Sequence, residues 1–225
     1  MIKTEDFNEL QNILYSAVIA DALDETNDKI VRNNAMDNMI RPLSSEMKVM
    51  GRAFTILAVD TYEQPKEPYK LELEAIDNLK KGDVVIVKSN KISAFWGELL
   101  TTAAIGHNCR GAIIDGFTRD AKEIIKMAFP TFASGFIPYD SKGRTEVIAY
   151  KVPIKSSGVL INPGDIIFAD YDGIVVIPKK IEDIVIKKAI QKLNKEKEMK
   201  EKLLMGASIK KLFDEYHILW LFTKN

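Results

Sequence analysis

The sequence predicts an α/β fold, on two observations. Between residues 52 and 130, short apolar runs alternate with segments of helical spacing, the strand–helix order that is typical of parallel sheets. Between residues 131 and 177, short apolar runs are separated by turns that mostly contain glycine, a spacing typical of antiparallel strands or hairpins. The chain has 225 residues and no internal repeat, which indicates one domain with enough length to bury a core.

Composition and charge argue against several classes of function. Basic and acidic residues number 32 each, so the balanced charge gives no support to a nucleic-acid or anionic-membrane partner. Cys109 is the only cysteine, which makes an intrachain disulfide impossible and favours a reducing cytoplasm. The acidic, polar N-terminus does not resemble a signal peptide. No apolar run approaches the roughly 20 residues of a membrane span.

The N-terminal part is predicted to form a helix, a loop and a strand. Asp6 and Glu9 match the pattern of a capping box, and apolar residues follow at helical spacing over 10–23. Residues 27–50 are mixed in character and indicate a loop. Residues 52–60 alternate in the manner of a strand with two apolar faces.

The next elements alternate helix and strand. A helix is predicted over 68–79, because a proline stands at its first position and a glycine follows its end. The run 84–87 is continuously apolar, and the run 112–115 is apolar up to an aspartate at its last position. Such runs are typical of strands buried on both faces of a parallel sheet. Helices are predicted over 96–106 and from about 120 to the residue before a proline at 130, so the two strands are expected to be parallel.

The second half is predicted to hold short strands and then a long helix. Pro153 places the end of one strand at a sheet edge. A charged helix over 179–205 and a short helix to 216 follow, and the apolar tail at 218–222 packs either on the same domain or on a neighbouring subunit. The predicted strands are 131–134, 146–154, 159–161, 166–169 and 174–177.

The most informative residues are Glu98 and the dipeptide Arg119-Asp120. Glu98 falls in the first turn of the helix after strand 84–87, and Arg119-Asp120 begins the helix after strand 112–115. Ligands of open α/β sheets bind beyond the carboxyl ends of parallel strands, so these side chains are expected to meet there. Acids are also common in first helical turns as simple caps, and that alternative stays open for each acid alone.

These residue types suit an anionic ligand. The backbone N–H groups of Leu99 and Leu100 would be free at a helix N-terminus and would bind a carboxylate. Gly97 before them permits close approach of the backbone. Arg119 would add a planar, two-pronged donor for the same anion.

A divalent cation would complete the site. Asp120 would supply a hard oxygen ligand for Mg²⁺ or Mn²⁺, and Glu98 would hold a metal-bound water. Few protein ligands are expected, because Mg²⁺ retains waters and relies on substrate oxygens.

Several segments of the chain, taken together, resemble one known family. It contains the class II 4-hydroxy-4-methyl-2-oxoglutarate aldolases and the regulator of ribonuclease activity A, and many members have been labelled demethylmenaquinone methyltransferases. No strand here is followed by the G-x-G-type turn of a Rossmann-like cofactor site, which argues against a methyltransferase. The matching segments are ADALD at 20–24, GRA at 51–53, KGDVV at 81–85, WGELL at 96–100, DGFTRD at 115–120, PGD at 163–165 and ADYDGIVVIP at 169–178.

The resemblance implies roles for individual residues. Asp120 would be the metal ligand, Arg119 would bind the substrate carboxylate and keto oxygen, and the backbone of residues 99–100 would donate hydrogen bonds. The family's first acid is commonly aspartate, whereas this chain has Glu98. An acid from the C-terminal helix of a neighbouring subunit also reaches the metal in the family, and Glu198 is the best match, followed by its neighbours Glu196 and Glu201.

The resemblance also implies a fold, an assembly and a reaction. The fold would be a mixed central sheet flanked by helices on both sides, like a swivelling phosphohistidine domain, assembled as a homotrimer or a dimer of trimers. The reaction would be metal-dependent release of pyruvate from 4-hydroxy-2-oxo acids, with decarboxylation of oxaloacetate as a companion activity. The competing function is a non-catalytic regulator that binds ribonuclease E or another protein.

Other reactive side chains have weaker support. Lys88 ends a buried strand and would suit a Schiff-base aldolase, although a solvated strand-end lysine is the simpler interpretation. His107 and Cys109 lie at a helix end and in the loop after it, and structural roles are favoured for both. A contribution of Tyr69 or Lys70 to the pocket is open.

Overall fold

The computed structural model describes residues 2–26, 33–63 and 65–216. The predicted apolar tail at 218–222 and part of the predicted loop at 27–50 lie outside these residues. Within the described ranges, no helix is long and apolar enough to cross a membrane.

Seven α-helices lie in the described part of the chain. Two 3₁₀ turns, Thr4–Asp6 and Lys179–Ile181, precede the first and the sixth. The helices are α1 (Phe7–Ile13), α2 (Ser16–Asp24), α3 (Lys70–Asp77), α4 (Glu98–Gly106), α5 (Ala121–Lys126), α6 (Glu182–Leu204) and α7 (Ile209–Tyr216).

The strands in the described residues number eleven, and nine of them form one mixed sheet. The strands are β1 (Arg41–Pro42), β2 (Val49–Asp60), β3 (Asp83–Lys88), β4 (Ala94–Trp96), β5 (Gly111–Thr118), β6 (Thr131–Phe136), β7 (Thr145–Tyr150), β8 (Ile154–Ser156), β9 (Val159–Ile161), β10 (Ile166–Ala169) and β11 (Ile174–Ile177).

The sheet is parallel at its centre and antiparallel at its ends. Its order is β1-β6-β5-β3-β2-β10-β11, with β2, β3, β5 and β6 mutually parallel. The long β2 pairs antiparallel with β10 through its first half and with β7 through its second half. The predicted mixed α/β sheet flanked by helices is therefore confirmed.

Apolar side chains bury both faces of this curled sheet. Helices α3, α4 and α5 pack over one part, with Trp96 and Phe54 among the buried residues, and α1, α2 and α6 pack over another. The interior of the curl holds a third cluster that includes Ile86 and Ile113, and the separate hairpin β8–β9 contributes to it. The strands 84–87 and 112–115 are confirmed as buried and parallel.

The first predicted helix is divided in two, and its capping box is wrong. Leu14 and Tyr15 are extended, and α2 begins anew at Ser16. The Ser16 N–H and hydroxyl both donate to Asp170, at 2.8 and 2.6 Å, so a loop distant in sequence caps α2. Asp6 instead accepts from the Lys3 N–H at 2.9 Å, within the 3₁₀ turn.

Three other expectations need correction. The segment before α4 is strand β4, which pairs parallel with β5, so Trp96 is not helical. Strand β6 was expected to be antiparallel but pairs parallel with β5, and its one antiparallel neighbour among the described residues is the two-residue β1. The predicted strand 146–154 is two strands, because the chain leaves the sheet at Lys151, where φ is 54°.

Candidate active site

A cavity of about 560 Å³ lies beyond the carboxyl ends of β4 and β5. Both apolar and charged residues line it. The residues that line it are Tyr69, Glu72, Leu73, Ala94, Phe95, Trp96, Gly97, Glu98, Leu99, Leu100, Arg119, Asp120, Asp140 and Ser141. The cavity thus contains all of the predicted site residues that come from the two strand-to-helix turns.

The N-terminus of α4 forms one wall of this cavity. The Glu98 N–H donates to Asp120 Oδ2 at 3.2 Å, and the Thr101 N–H makes the first intrahelical bond, to the Gly97 carbonyl at 3.0 Å. The N–H groups of Leu99 and Leu100 fall in the first helical turn, where no intrahelical acceptor exists. They remain suited to an anionic ligand, as the sequence predicts.

Gly97 is needed because two turns approach each other closely. A Cβ at this position would lie 2.8 Å from Asp120 Oδ2 and 3.3 Å from Arg119 Cγ. The backbone of Gly97 is extended, so its conformation does not require glycine. A side chain is excluded at this position because it would clash with the side chains of Arg119 and Asp120.

Asp120 has a backbone conformation that is uncommon for a residue other than glycine. Its φ of 56° and ψ of 30° are left-handed, and it precedes α5 without capping that helix through its side chain. The carboxylate turns instead to the first residue of α4. Left-handed strain at non-glycine residues clusters at functional sites, and Tyr69, with φ of 62°, is a second case in the same cavity.

Arg119 is held between carboxylates. Its Nη2 lies 3.2 Å from Asp140 Oδ2, and its Nε lies 3.8 Å from Asp120 Oδ2. Tyr69 donates its hydroxyl to Asp140 Oδ1 at 2.9 Å. Burial would raise the pKa of Asp140, but hydrogen bonds from the Lys142 N–H and Tyr69, with the Arg119 charge, lower it. Asp140 is therefore an ionised partner that orients the guanidinium.

Glu72 adds a buried carboxyl to the cavity wall, with 7% of its surface exposed. Burial, with a smaller contribution from the Asp140 charge, raises its pKa to about 7. A hydrogen bond with Ser141 and the Arg119 charge act in the opposite direction. Glu72 consequently exchanges a proton near neutral pH, unlike an ordinary exposed glutamate.

The remaining predicted ligand does not reach the cavity within one chain. Glu198 is exposed on α6 and accepts from the Tyr216 hydroxyl at 3.2 Å. Glu196 accepts from Tyr15, and none of the described residues that line the cavity comes from α6. That Glu198 reaches the site of a neighbouring subunit stays a prediction.

Lys88 is not placed as a Schiff-base lysine. It forms an ion pair with buried Asp115 at 2.9 Å, and the Ser156 hydroxyl and Ser157 N–H also donate to that carboxylate. Lys88 is two residues after Ile86 on β3, so both side chains lie on the same face of the sheet. That face lines the interior of the curled sheet, on the opposite side from the cavity.

His107 and Cys109 lie at the opposite end of α4 from Glu98. His107 is the C-terminal cap residue of that helix. Cys109 packs on the core, and burial raises the pKa of its thiol to about 12, which does not suit a nucleophile. Both positions agree with the favoured structural roles.

Sequence reasoning missed Asp140 and Glu72. Asp140 follows β6, and the rule that located Glu98 and Asp120 would have located it too, had β6 been predicted as parallel. Glu72 gave no comparable signal, because a glutamate in a first helical turn is common at the surface. Lys70 pairs with Glu67 at 2.5 Å outside this cavity, whereas Tyr69 lies within it.

The fold and cavity define an α/β protein with a carboxylate-rich cavity, containing one arginine, at the ends of parallel strands. The family description RraA-like (Aldolase/RraA) matches residues 16–176. A Halalkalibacterium halodurans protein named "Putative 4-hydroxy-4-methyl-2-oxoglutarate aldolase" is 30% identical over 189 residues, covering 83% of each chain. The chain therefore belongs to the RraA-like family.

Two further proteins show the range of its relatives. Protein DlpA of Legionella pneumophila is 32% identical over 214 residues, which are 93% of this chain but 34% of DlpA. The chain therefore spans about a third of the length of that relative. The crystal structure of Streptomyces coelicolor RraAS2, described as an unusual member of the RNase ES inhibitor RraA family, aligns with a TM-score of 0.77 at 25% identity, covering 90% of this chain and all of that one.

Proposed function

We propose that the chain is a divalent-metal-dependent carbon–carbon lyase. It releases pyruvate from 4-hydroxy-2-oxo acids of the 4-hydroxy-4-methyl-2-oxoglutarate type and decarboxylates oxaloacetate. The observation that carries the proposal is the meeting of Arg119, Asp120 and the α4 N-terminus in one cavity. Membership of the RraA-like family and the name of the Halalkalibacterium halodurans relative support it.

The donor set of the cavity fits Mg²⁺ or Mn²⁺ held by few protein ligands. Among the described residues, no three His, Cys, Asp or Glu side chains are grouped so as to enclose a metal. Asp120 offers a carboxylate with 42% of its side chain exposed, beside Glu98. Mg²⁺ commonly binds one or two carboxylates and completes its shell with water and substrate. When bound, the ion would supply Lewis-acid polarisation of the 2-oxo group.

The chain's own groups bind and orient the substrate. Arg119 donates to the substrate carboxylate and keto oxygen, and the N–H groups of Leu99 and Leu100 donate to the same anion. Because Asp140 holds the guanidinium in place, the donors are fixed before the substrate arrives. Preorganised donors of this kind stabilise the negative charge that develops on the keto oxygen.

Glu98 moves the proton that bond cleavage requires. Through a water molecule it takes the proton of the C4 hydroxyl, and C4 becomes a carbonyl as the C3–C4 bond breaks. The electron pair of that bond passes to the C2–C3 unit, and C3 then accepts a proton to give pyruvate. Decarboxylation of oxaloacetate forms the same unit by loss of CO₂ and needs no base.

The test measures pyruvate from purified protein with Mg²⁺ or Mn²⁺ and either substrate. Asp120→Ala should lower the rate by roughly 100-fold or more, since several kcal/mol of charge stabilisation are lost. The matched control is Asp77→Ala, an exposed acid at the end of α3 outside the cavity, which should keep full activity. Absence of pyruvate with both metals and both substrates, or full activity in Asp120→Ala, would contradict the proposal.

The proposal includes a cytoplasmic homo-oligomer, a trimer or a dimer of trimers, in which Glu198 from a neighbouring subunit reaches the metal. Asp120→Ala and Glu198→Ala chains should each be inactive alone. Refolded together, they should regain part of the activity, because some mixed sites contain both acids. Full activity of Glu198→Ala by itself would contradict this role.

A regulator that binds ribonuclease E without catalysis is the second candidate. The likeness to the Streptomyces coelicolor structure, whose title refers to an RNase ES inhibitor family, favours it. Metal-free protein would then retain purified ribonuclease E on a column and lower its activity. Lyase activity without such binding would reject this candidate.

A further inference from the structure

The proposed reaction leaves its last proton transfer without an assigned donor. With either substrate, C3 must accept a proton after the C3–C4 bond breaks. Glu98 is already the base for the C4 hydroxyl, and Asp120 is the metal ligand. Asp140 is ionised and accepts from Arg119 at 3.2 Å, so it has no proton to give. Among the described acids that line the cavity, Glu72 is the one left without a role.

Glu72 lies in a wall that the candidate active site shares with a second cavity. The second cavity also has a volume of about 560 Å³, and both Tyr69 and Glu72 line the two cavities. Ionised side chains require hydration, so a cavity with this lining suits water. Its other charged residues are Lys66, Lys70, Lys142, Glu67 and Glu146. Glu72 therefore lies between the site and a route by which solvent protons can arrive.

The buried Ser141 hydroxyl joins the carboxyl groups of Glu72 and Asp140. It donates to Asp140 Oδ1 at 3.3 Å and also hydrogen-bonds with Glu72. A hydroxyl has one proton, so while it donates to Asp140 it can only accept from a protonated Glu72. When Glu72 is ionised, the hydroxyl can donate to it instead, because Asp140 keeps its bonds from Tyr69 and the Lys142 N–H. The cluster thus accommodates both protonation states of Glu72.

The acidity of Glu72 suits proton transfer at neutral pH. Burial, and less strongly the Asp140 charge, raise its pKa to about 7, and a general acid works best near the operating pH. Burial raises the pKa of the Tyr69 hydroxyl to about 12, so that group keeps its proton. The charged residues that line the candidate active site with Glu72 are Glu98, Arg119, Asp120 and Asp140.

We infer that Glu72 is the catalytic acid that protonates C3, and that it regains its proton from solvent through the second cavity. The inference rests on the proposed function and adds a catalytic residue to it. The O–H bond of Glu72 breaks, and the electron pair of the C2–C3 unit forms the new C3–H bond. The resulting carboxylate then takes a proton from solvent. In the reverse direction, the same carboxylate removes a methyl proton from pyruvate.

Exchange of the pyruvate methyl protons in D₂O isolates this step from bond cleavage. Pyruvate is incubated with the purified protein and Mg²⁺, and proton NMR follows the loss of the methyl signal. The wild-type rate should rise with pH as Glu72 ionises and then level off. Glu72→Gln should lower the rate by about 100-fold and lack this rise, since general acid–base catalysis is lost. Calorimetry should show that the variant still binds pyruvate as wild type does.

Two further variants complete the test. Glu74→Gln makes the same change at an exposed glutamate of α3 that lines neither cavity, and it should keep the wild-type rate. Glu72→Asp retains a carboxyl group and should recover part of the rate lost in Glu72→Gln. An unchanged rate in Glu72→Gln, or no exchange by the wild-type protein, would overturn the inference. If exchange depends on Glu72 but neither substrate releases pyruvate, the lyase proposal alone fails.

Discussion

At the residue scale, the site depends on the close approach of Gly97 to the Arg119-Asp120 turn. Gly97→Ala places a Cβ 2.8 Å from Asp120 Oδ2, so the carboxylate must move. We expect pyruvate release to fall at least about tenfold, since ångström-scale displacement of catalytic groups is costly. The matched control is Gly106→Ala, at the other end of α4, where a Cβ meets no atom within 4 Å. Equal activities of the two variants would show that the approach is unimportant.

A second residue-scale prediction concerns Glu72 and pH. Its folded-state pKa of about 7 lies above the ordinary 4.5, so the folded chain binds this proton more tightly than the unfolded chain. The corresponding stability is fully present below about pH 4.5 and is lost as pH rises towards 7. Glu72→Gln cannot titrate and so does not lose this stability. Between about pH 4.5 and pH 7, its free energy of unfolding should therefore rise by about 3 kcal/mol relative to that of wild type.

Urea unfolding at a series of pH values measures the Glu72 effect. The control is Glu5→Gln, an exposed glutamate in the N-terminal 3₁₀ turn, which should leave the pH profile of wild type unchanged. A constant difference between Glu72→Gln and wild type across the range would contradict the assigned cause.

At the element scale, one ion pair joins the start of α6 to β2 and the N-terminal segment. Glu182, 1% exposed, accepts from Arg52 Nη2 at 2.9 Å and from the Ile2 N–H at 2.8 Å. Glu182→Ala leaves the Arg52 guanidinium, whose side chain is 16% exposed, without its carboxylate partner, so the free energy of unfolding should fall by about 3 kcal/mol.

The control for this pair is at the surface of α5. Lys126 Nζ lies 2.7 Å from Glu123 with both side chains largely exposed, so Lys126→Ala should cost less than about 1 kcal/mol. Denaturant unfolding of both variants makes the comparison. Similar losses would mean that burial does not strengthen the Arg52 pair.

At the scale of the whole molecule, stability depends on the apolar interior of the curled sheet. Ile86 is fully buried there in the central strand β3, so Ile86→Ala should lower the free energy of unfolding by about 3 kcal/mol. Ile148, 51% exposed on β7, is the matched control, and Ile148→Ala should change it by less than about 1 kcal/mol. Thermal and urea unfolding give the comparison, and equal losses would contradict the assigned core.

How well the sequence predicts an element depends on how local its signal is. The runs 84–87 and 112–114 are apolar throughout because both faces are buried, and these strands were predicted correctly. The division between α1 and α2 was missed, because the group that caps Ser16 is Asp170, far along the chain. The direction of β6 was also missed, since no local pattern distinguishes a parallel from an antiparallel short strand, and Asp140 was lost with it.

The sequence by itself determined the α/β class, the family and the strand-to-helix turns that bring Glu98, Arg119 and Asp120 together. Periodicity and motif spacing are local properties, so one chain is enough to read them. Only the tertiary structure decided that Asp140 orients Arg119 and that Glu72 is buried with a pKa of about 7. Both depend on contacts between segments that are distant in sequence, because desolvation and charge pairing arise only when the sheet, α3 and the loop after β6 pack together.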